Sequence, residues 1–458
     1  MADRDRANRV NVERIDWPSV LPGLHLFQSF RMAIQPAKLV LGLALIVAIV
    51  LGGRGLDLIW GNAVQPGEWQ QYVSESWPAL IPWAEALDPP AANNGQPGAV
   101  FDTALRLQTT AFGDLIRAAT GINVDASTTA LPGGAWWETA WAALIMLAVV
   151  PAWLASHHPI FLVVFAIGKL ILVALLGGAL ARLAAVEACR DLRASVNEGL
   201  RFAGGRYPWF VMAPLIPLGV VLIVVLLLAV AGGALFNLPV TDVVGALILP
   251  LLLIGGFVIT LILIGLAVGV HLLYPGIAVE GSDAFDAISR AFNYIFGRPW
   301  RYLLYTAVIL VYGLITFLFF AALVYLTLAA THWAAGLWAG AEMAGDRRFD
   351  AILPMPAFNE LLRPAAWWGG RGTGSAGVAA WIASVWIKLL VGLLPAYLIS
   401  YYFSAHTWLY LLLRRAADGT EFDDLYLEET PNTQAATTPS PDASSNQPSI
   451  SDTTSQSG

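Results

Sequence analysis

The sequence predicts an all-α fold: a polytopic transmembrane helix bundle of about six spans, with a parallel internal repeat and interfacial amphipathic helices. Composition and a motif written twice carry that prediction. Of 458 residues, 57% are hydrophobic and 12% charged, whereas a soluble chain of this length has about 25% charged residues. Six apolar runs approach or exceed the roughly 20 residues that cross a hydrocarbon core: 38–59, 160–183, 208–235, 243–271, 302–330 and 379–413. The motif is Ala185-Val186-Glu187 followed by Gly205-Arg206-Tyr207-Pro208-Trp209, then Ala278-Val279-Glu280 followed by Gly297-Arg298-Pro299-Trp300. The copies are offset by 93 residues at the start and 92 at the end, so one deletion reconciles them.

In chain order, residues 1–37 form a polar, cytoplasmic amphipathic segment. Trp17, Leu21, Leu24, Phe27 and Ile34 lie close to one face, and Arg31 and Lys38 can meet lipid phosphate. No short apolar core with a small-residue cleavage site occurs there, so the expectation is a retained first span rather than a removed signal peptide. The transmembrane domain occupies 38–429. Its N-terminal flank carries Arg4, Arg6, Arg9, Arg14, Arg31 and Lys38, whereas 61–135 has Arg106 and Arg117 against seven carboxylates. Cationic flanks stay on the cytoplasmic side, which puts both termini inside and the loop 61–155 outside.

Arg182, Arg190, Arg193, Arg201 and Arg206 demand the inner side as well. Only one of the runs 139–155 and 160–181 can then cross. The stretch 136–155, broken by Pro151 and followed by His157-His158-Pro159, reads as an in-plane or re-entrant helix on the outer face, with a seventh span as the alternative. Residues 101–119 have a helical period through Phe101, Leu105, Phe112, Leu115 and Ile116, suited to packing on the outer ends of the spans. Pro/Gly-rich stretches 88–98, 131–134 and 364–377 read as connectors. The Ser/Thr/Pro-rich tail 430–458 has little to bury and reads as disordered.

Each repeat unit, 160–235 and 243–330, is span, short amphipathic helix, span. Both have the same in-out sense, which makes the repeat parallel, with an axis along the membrane normal. In one short helix Phe285, Ile288, Phe292 and Ile295 recur at spacings of three and four, with Ser282 as N-cap. In the other, Leu192, Val196, Gly199, Leu200 and Ala203 share a side. Such helices lie in the interface with their apolar side down. The ending then has a mechanical meaning: Gly stops the helix, Arg206 or Arg298 faces lipid phosphate, Pro starts the next helix, and Trp209 or Trp300 anchors it. The sixth span with its basic and then acidic sequel has the look of a truncated third copy.

The stretch from Leu273-Tyr274-Pro275-Gly276 through Ala287-Ile288-Ser289-Arg290-Ala291-Phe292 to Gly297-Arg298-Pro299-Trp300 resembles a signature of bacterial polytopic inner-membrane proteins of uncharacterised function. It is similar to the membrane domain attached to some glycerophosphodiester phosphodiesterases. Leu411-Leu412-Leu413-Arg414-Arg415 with Asp418-Gly419-Thr420-Glu421-Phe422-Asp423 resembles the C-terminus of such an inner-membrane family. The resemblance covers most of 160–429 and implies an architecture. The chain has no phosphodiesterase domain, so that activity does not carry over.

Motif chemistry is sparse. Cys189 is the single cysteine, which rules out an intrachain disulfide. The six histidines lack metal-ligand spacing apart from the adjacent pair His157-His158, which suits a polar turn. Gly369-Gly370-Arg371-Gly372-Thr373-Gly374 lacks the strand and helix of a nucleotide-binding loop. No catalytic, cofactor or metal site is expected, and no basic stripe suggests nucleic acid. Two residues stand out. Lys169 and Lys388 lie about ten residues into inward-running spans, where an ammonium costs about 2.5–3.5 kcal/mol to insert. They are the candidates for an anion or lipid site, but the preferred expectation for both is structural: snorkelling, or hydrogen bonding to carbonyls freed by Pro214, Pro217, Pro250 or Pro395. The leading expectation is a non-enzymatic inner-membrane scaffold or lipid-organising protein, with membrane lipids and a membrane protein as partners. A transporter or lipid-handling protein using Lys169 and Lys388 is the rival, and a membrane enzyme ranks third.

Overall fold

The computed structural model describes residues 22–77, 97–121, 136–237, 241–339, 342–343, 346–361 and 374–427. Trp17, Leu21, the connectors 88–96, 131–134 and 364–373, and the tail 430–458 lie outside the described residues. A 3-10 turn (Pro22–Phe27) leads into α1 (Gln28–Ala33), α2 (Pro36–Trp60), α3 (Glu68–Ser76), α4 (Val100–Thr120) and α5 (Trp136–His157). Then come α6 (Pro159–Arg190), α7 (Val196–Gly205), α8 (Tyr207–Phe236), α9 (Thr241–Glu280), α10 (Ala284–Gly297) and α11 (Pro299–Gly336). A two-residue antiparallel ladder, β1 (Glu342–Met343) with β2 (Asp346–Arg347), precedes α12 (Arg348–Ile352), α13 (Phe358–Leu361) and α14 (Gly374–Asp418). Seven of the described helices, α2, α5, α6, α8, α9, α11 and α14, are long and apolar enough to cross a membrane. The chain is therefore an all-α polytopic bundle.

The core lies where α6, α9 and α14 end, and each of these packs against the other two. Residues 177–185, 272–279 and 403–414 are buried there on every face. At their other ends the long helices present Leu222, Leu226, Leu247, Leu251, Leu310 and Trp381 to the surroundings, as spans in lipid do. The buried end also carries the arginines, and is called the basic end below.

Both short helices fold back along the helix that precedes them. The Cβ that Gly199 of α7 lacks would lie 2.1 Å from Leu183 and 3.1 Å from the Ala179 carbonyl oxygen, so only glycine lets α7 come this close to α6. On α9, Gly265 and Gly269 leave room for Phe292 and Ile295 of α10. The faces differ from the expected ones. In α10 the inward stripe is Ala284, Ala287, Ala291, Tyr294 and Ile295, while Phe285 is 72% exposed. Small residues win the inner face because close helix approach needs them, which frees the large ring for the interface. The N-cap is Asp283, whose carboxylate accepts from the Asp286 amide at 2.8 Å, rather than Ser282. In α7 the cap is Ser195, in a reciprocal box with Glu198.

The N-terminal segment shows the same reversal. Leu26, Ser29, Met32 and Ala33 are buried against α14, while Leu24, Phe27 and Ile34 face out. It runs lengthwise along α11, with Phe27 against Tyr312 and Phe30 against Phe319, rather than flat along a surface.

The additional candidate span, α5, does not stand alone. α5 packs along α4. The Phe101 and Asp102 amides donate to the Asp57 carboxylate at 2.8 and 3.1 Å, so α4 starts beside the far end of α2. Eleven residues on, the Phe112 ring lies 6.1 Å from Phe317, and Ile116 joins the main core. α4 thus runs along the spans toward the basic end rather than across their far ends. α5 returns: its Trp153 indole donates to Glu68 at 3.1 Å, and His158 contacts the same carboxylate at 3.0 Å. The hairpin enters and leaves at one end, so α5 leaves the sense of every later helix unchanged.

The glutamates of the repeated motif are hubs, Glu187 buried and Glu280 partly so. Glu187 accepts from Lys38 at 2.6 Å and from Gln35, with the Lys38 and Glu187 side chains 1% and 5% exposed. Glu280 has Arg414 Nε at 2.7 Å, the Tyr410 hydroxyl at 3.2 Å and Arg290 at 3.6 Å. Arg414 reaches on to the Asp424 carboxylate at 2.5 Å. Replacing Glu187 with Gln strands a buried ammonium and is expected to cost about 3–5 kcal/mol in detergent thermal unfolding. Adding Lys38→Met should recover most of that loss. A double variant as unstable as the single one would contradict the pairing.

Candidate functional site

Just beyond this core, on the lipid-facing side, the junction is not filled. A cavity of about 280 Å³ is lined by Ala166, Lys169, Leu170 and Val173 of α6, Pro214 of α8, Val270, His271 and Tyr274 of α9, and Tyr402 and Phe403 of α14. Two local features hold it open. α6 widens into a π turn at Val173–Gly177, a distortion common at functional sites. α8 carries Pro214 and Pro217 in its interior, where each removes a backbone donor and crowds the preceding turn.

Glycine and aromatic rings shape the floor. Gly177 and Gly178 admit the rings of Phe403 and Phe210, at 2.7 and 3.0 Å from where a Cβ would sit. Tyr274 stacks on Phe403 with ring centroids 6.2 Å apart and meets Phe210 edge-on at 5.1 Å. The Tyr402 hydroxyl and His271 Nδ1 are hydrogen bonded at 2.8 Å. His406 donates from Nδ1 to the Tyr402 carbonyl at 2.7 Å, and its ring lies 5.0 Å from His271. In the tautomer that accepts from the Tyr402 hydroxyl, His271 carries its proton on Nε2.

Lys169 is the cation of the wall, and no carboxylate lines it. Ala166 and Lys169 are exposed on the helix that also presents Val163, Ile167 and Ile171 outward, so the cavity opens on the apolar flank of the bundle. Its chemistry suits an anionic group attached to an apolar body: an ammonium, an imidazole and two phenols belong to the lining, and the remaining wall is hydrocarbon and aromatic.

Lys388 is placed apart from this wall. It is half-buried on α14 and does not line the cavity. It precedes Tyr402 by fourteen positions, about 21 Å of helix. Of the four expected interface anchors, Trp209 and Trp300 are exposed, at 42% and 81%, as membrane anchors should be. Arg298 is half-buried at the start of α11. Arg206 turns inward instead: it donates to the Gly281 carbonyl and lies 4.6 Å over the Tyr426 ring and 5.5 Å over Phe202. Gly281 lies just past the end of α9, where a carbonyl has no partner within the helix, and the guanidinium is drawn there rather than to phosphate.

The sequence reading missed His271, Tyr274 and Tyr402. It tested the histidines for metal spacing alone, and a simpler signal was present: His271 and His406 are polar groups inside apolar spans, where such residues are rare and mark sites.

Filling the cavity separates open space from packed core. Val270→Phe should stay within about 1 kcal/mol of the parent, whereas Ala278→Phe, at a fully buried position one helix face away from any space, should lose about 1–3 kcal/mol by overpacking. Thermal unfolding of the two variants in one detergent checks this, and equal losses would mean that the cavity has no room. No protein family, curated protein or solved structure matches the chain, so the functional conclusion stands on this cavity.

Proposed function

We propose that this is a non-enzymatic, lipid-handling protein of the bacterial inner membrane, which takes an anionic membrane amphiphile sideways into the Lys169 cavity. One observation carries the reading: a cation with three polar neighbours, and no acid, in a cavity that opens on the lipid-facing flank of a membrane bundle. The head group meets Lys169, His271 and Tyr274, and the acyl part lies along the apolar outer surfaces of α6 and α8. Of the first two of the three expectations drawn from sequence, the cavity favours lipid handling over a scaffold without a ligand. Lys169 serves alone, since Lys388 lies elsewhere on α14.

The orientation belongs to the same proposal. The basic end, with Arg190, Arg193 and Arg201 exposed, faces the cytoplasm together with both termini. Its two units, 160–235 and 243–330, are copies of one parallel repeat, supported by the matched Ala-Val-Glu motif and by the common course of span, fold-back helix and span. Cysteines placed at Asn62 and Ser195 in a Cys189→Ser background should be labelled from opposite sides of the membrane by an impermeant maleimide. Labelling of both from one side would overturn the orientation.

The ligand is tested by the lysines. A charge-assisted hydrogen bond is worth about 1.5–3 kcal/mol, so Lys169→Met should reduce retained anionic phospholipid roughly tenfold or more at unchanged thermal stability. Lys388→Met is the control and should retain lipid like the parent. Native mass spectrometry of protein released from mild detergent reads both. Undiminished anionic lipid on Lys169→Met would remove the main support for this function.

A further inference from the structure

We infer that the two ends of the chain together form a third unit, so that the protein is a ring of three units closed without a covalent bond, by residues 22–60 docked on residues 374–427. The inference rests on five kinds of contact or geometry, each found three times around the ring.

The incoming helices end alike. α6, α9 and α14 are each stopped by a residue in left-handed backbone: Asp191 at φ 51°, Gly281 at 62° and Gly419 at 71°. In each case the amide of that residue donates to the carbonyl four residues back, at 2.9 Å to Glu187, 2.9 Å to Ile277 and 3.1 Å to Arg415. Asp191 is the only non-glycine residue with positive φ among the described residues. The first unit therefore adopts the shared ending even without the residue best suited to it.

A short helix then folds back on each incoming helix. α7 does so on α6 and α10 on α9. On α14 the place is taken by the 3-10 turn and α1, from the opposite end of the sequence. His25 stacks on Trp408 at 4.7 Å, the Trp408 indole meets Met32 Sδ at 3.1 Å, and Ser400 donates to the Ala33 carbonyl at 2.8 Å. The outgoing helices begin alike as well, with Pro208, Pro299 and Pro36 in their first turns.

Each outgoing helix packs antiparallel on the next incoming one. α8 lies on α9, with Leu228 at Gly255 and Phe236 at Gly245. α11 lies on α14, with Tyr401 at Gly313 and Phe320 stacked on Tyr397. α2 lies on α6, with Lys38 on Glu187 and the Trp60 ring 5.7 Å from Phe161. Each outgoing helix also touches the next short helix: α8 touches α10, α2 touches α7, and α11 touches the 3-10 turn, where Tyr312 donates to the Phe27 carbonyl at 3.0 Å. Units of this kind cannot bury their faces alone. The third is completed by pairing the chain's last span with its first.

Circular permutation tests the closure without deleting a residue. The full chain is restarted at Leu192, residues 192–458 being followed by 1–191, so that Gly458 joins Met1 and the break moves to the loop between α6 and α7. That loop is the counterpart of the natural opening after α14 and lies at the same end of the bundle, so the insertion sense of every span is kept. The permutant should elute as the parent does and unfold within about 5 °C of it. Co-expressed pieces 1–191 and 192–458 should also copurify. An aggregated permutant, or one unfolding more than about 15 °C lower, beside a well-assembled pair of pieces would show that the ends do not form one continuous unit. Failure of both would show that the α6–α7 loop is no counterpart of the natural opening. Either result overturns the inference.

Discussion

Glu187 and Glu280 are carboxylates withdrawn from water at the point where α6 and α9 end, and a buried charge persists only if an opposite charge is held against it. The counter-charges come from far away in sequence. Lys38 opens the first long helix, and Arg414 lies near the end of the last one. Satisfying the two carboxylates therefore fixes α2 against α6 and α14 against α9, and with them the order of helices around the bundle. Arg182 strengthens the same junction through the Ala278 carbonyl at 2.7 Å and the Tyr426 carbonyl at 2.8 Å. Replacing such groups by apolar ones often leaves stability unchanged, so their contribution here is to register and helix order more than to net stability.

That junction determines where a cavity can exist. On α9, His271 lies nine residues before Glu280; on α14, Tyr402 lies twelve before Arg414; on α6, Val173 lies fourteen before Glu187. At 1.5 Å per residue these separations are about 14, 18 and 21 Å. The helices are clamped below and diverge above. The π turn of α6 and the two prolines of α8 fall on the diverging part, where close packing is no longer enforced by ion pairs. A bundle tied at one end and loosened in this way has room for a cavity between α6, α8, α9 and α14.

Much of this was legible in the sequence because it depends on local rules. Span lengths, the doubled Ala-Val-Glu motif, the proline starts and the tryptophan anchors are each set by nearby residues, and they led to the bundle and to Lys169. Other features depend on tertiary contacts. Which face of α10 turns inward is decided by how closely alanines let it approach α9, so Phe285 faces out although hydrophobicity alone would bury it. α4 escaped notice as a partner for α5 because Asp102, Arg106, Asp114 and Arg117 disguise it as a surface helix. In the structure Arg117 lies 3.3 Å from buried Asp114, so part of that charge is paired within the helix. Arg206 was assigned to lipid phosphate because the carbonyl that captures it, on Gly281, is 75 residues away in sequence.

The proposed function places an anionic amphiphile from the bilayer in the Lys169 cavity. A cryo-electron microscopy map of the intact protein in nanodiscs containing phosphatidylglycerol tests it most directly. An elongated density is expected, with its head against Lys169, His271 and Tyr274 and its tail running out between α6 and α8. An empty cavity, in a map that resolves ordered lipid elsewhere around the bundle, would contradict it.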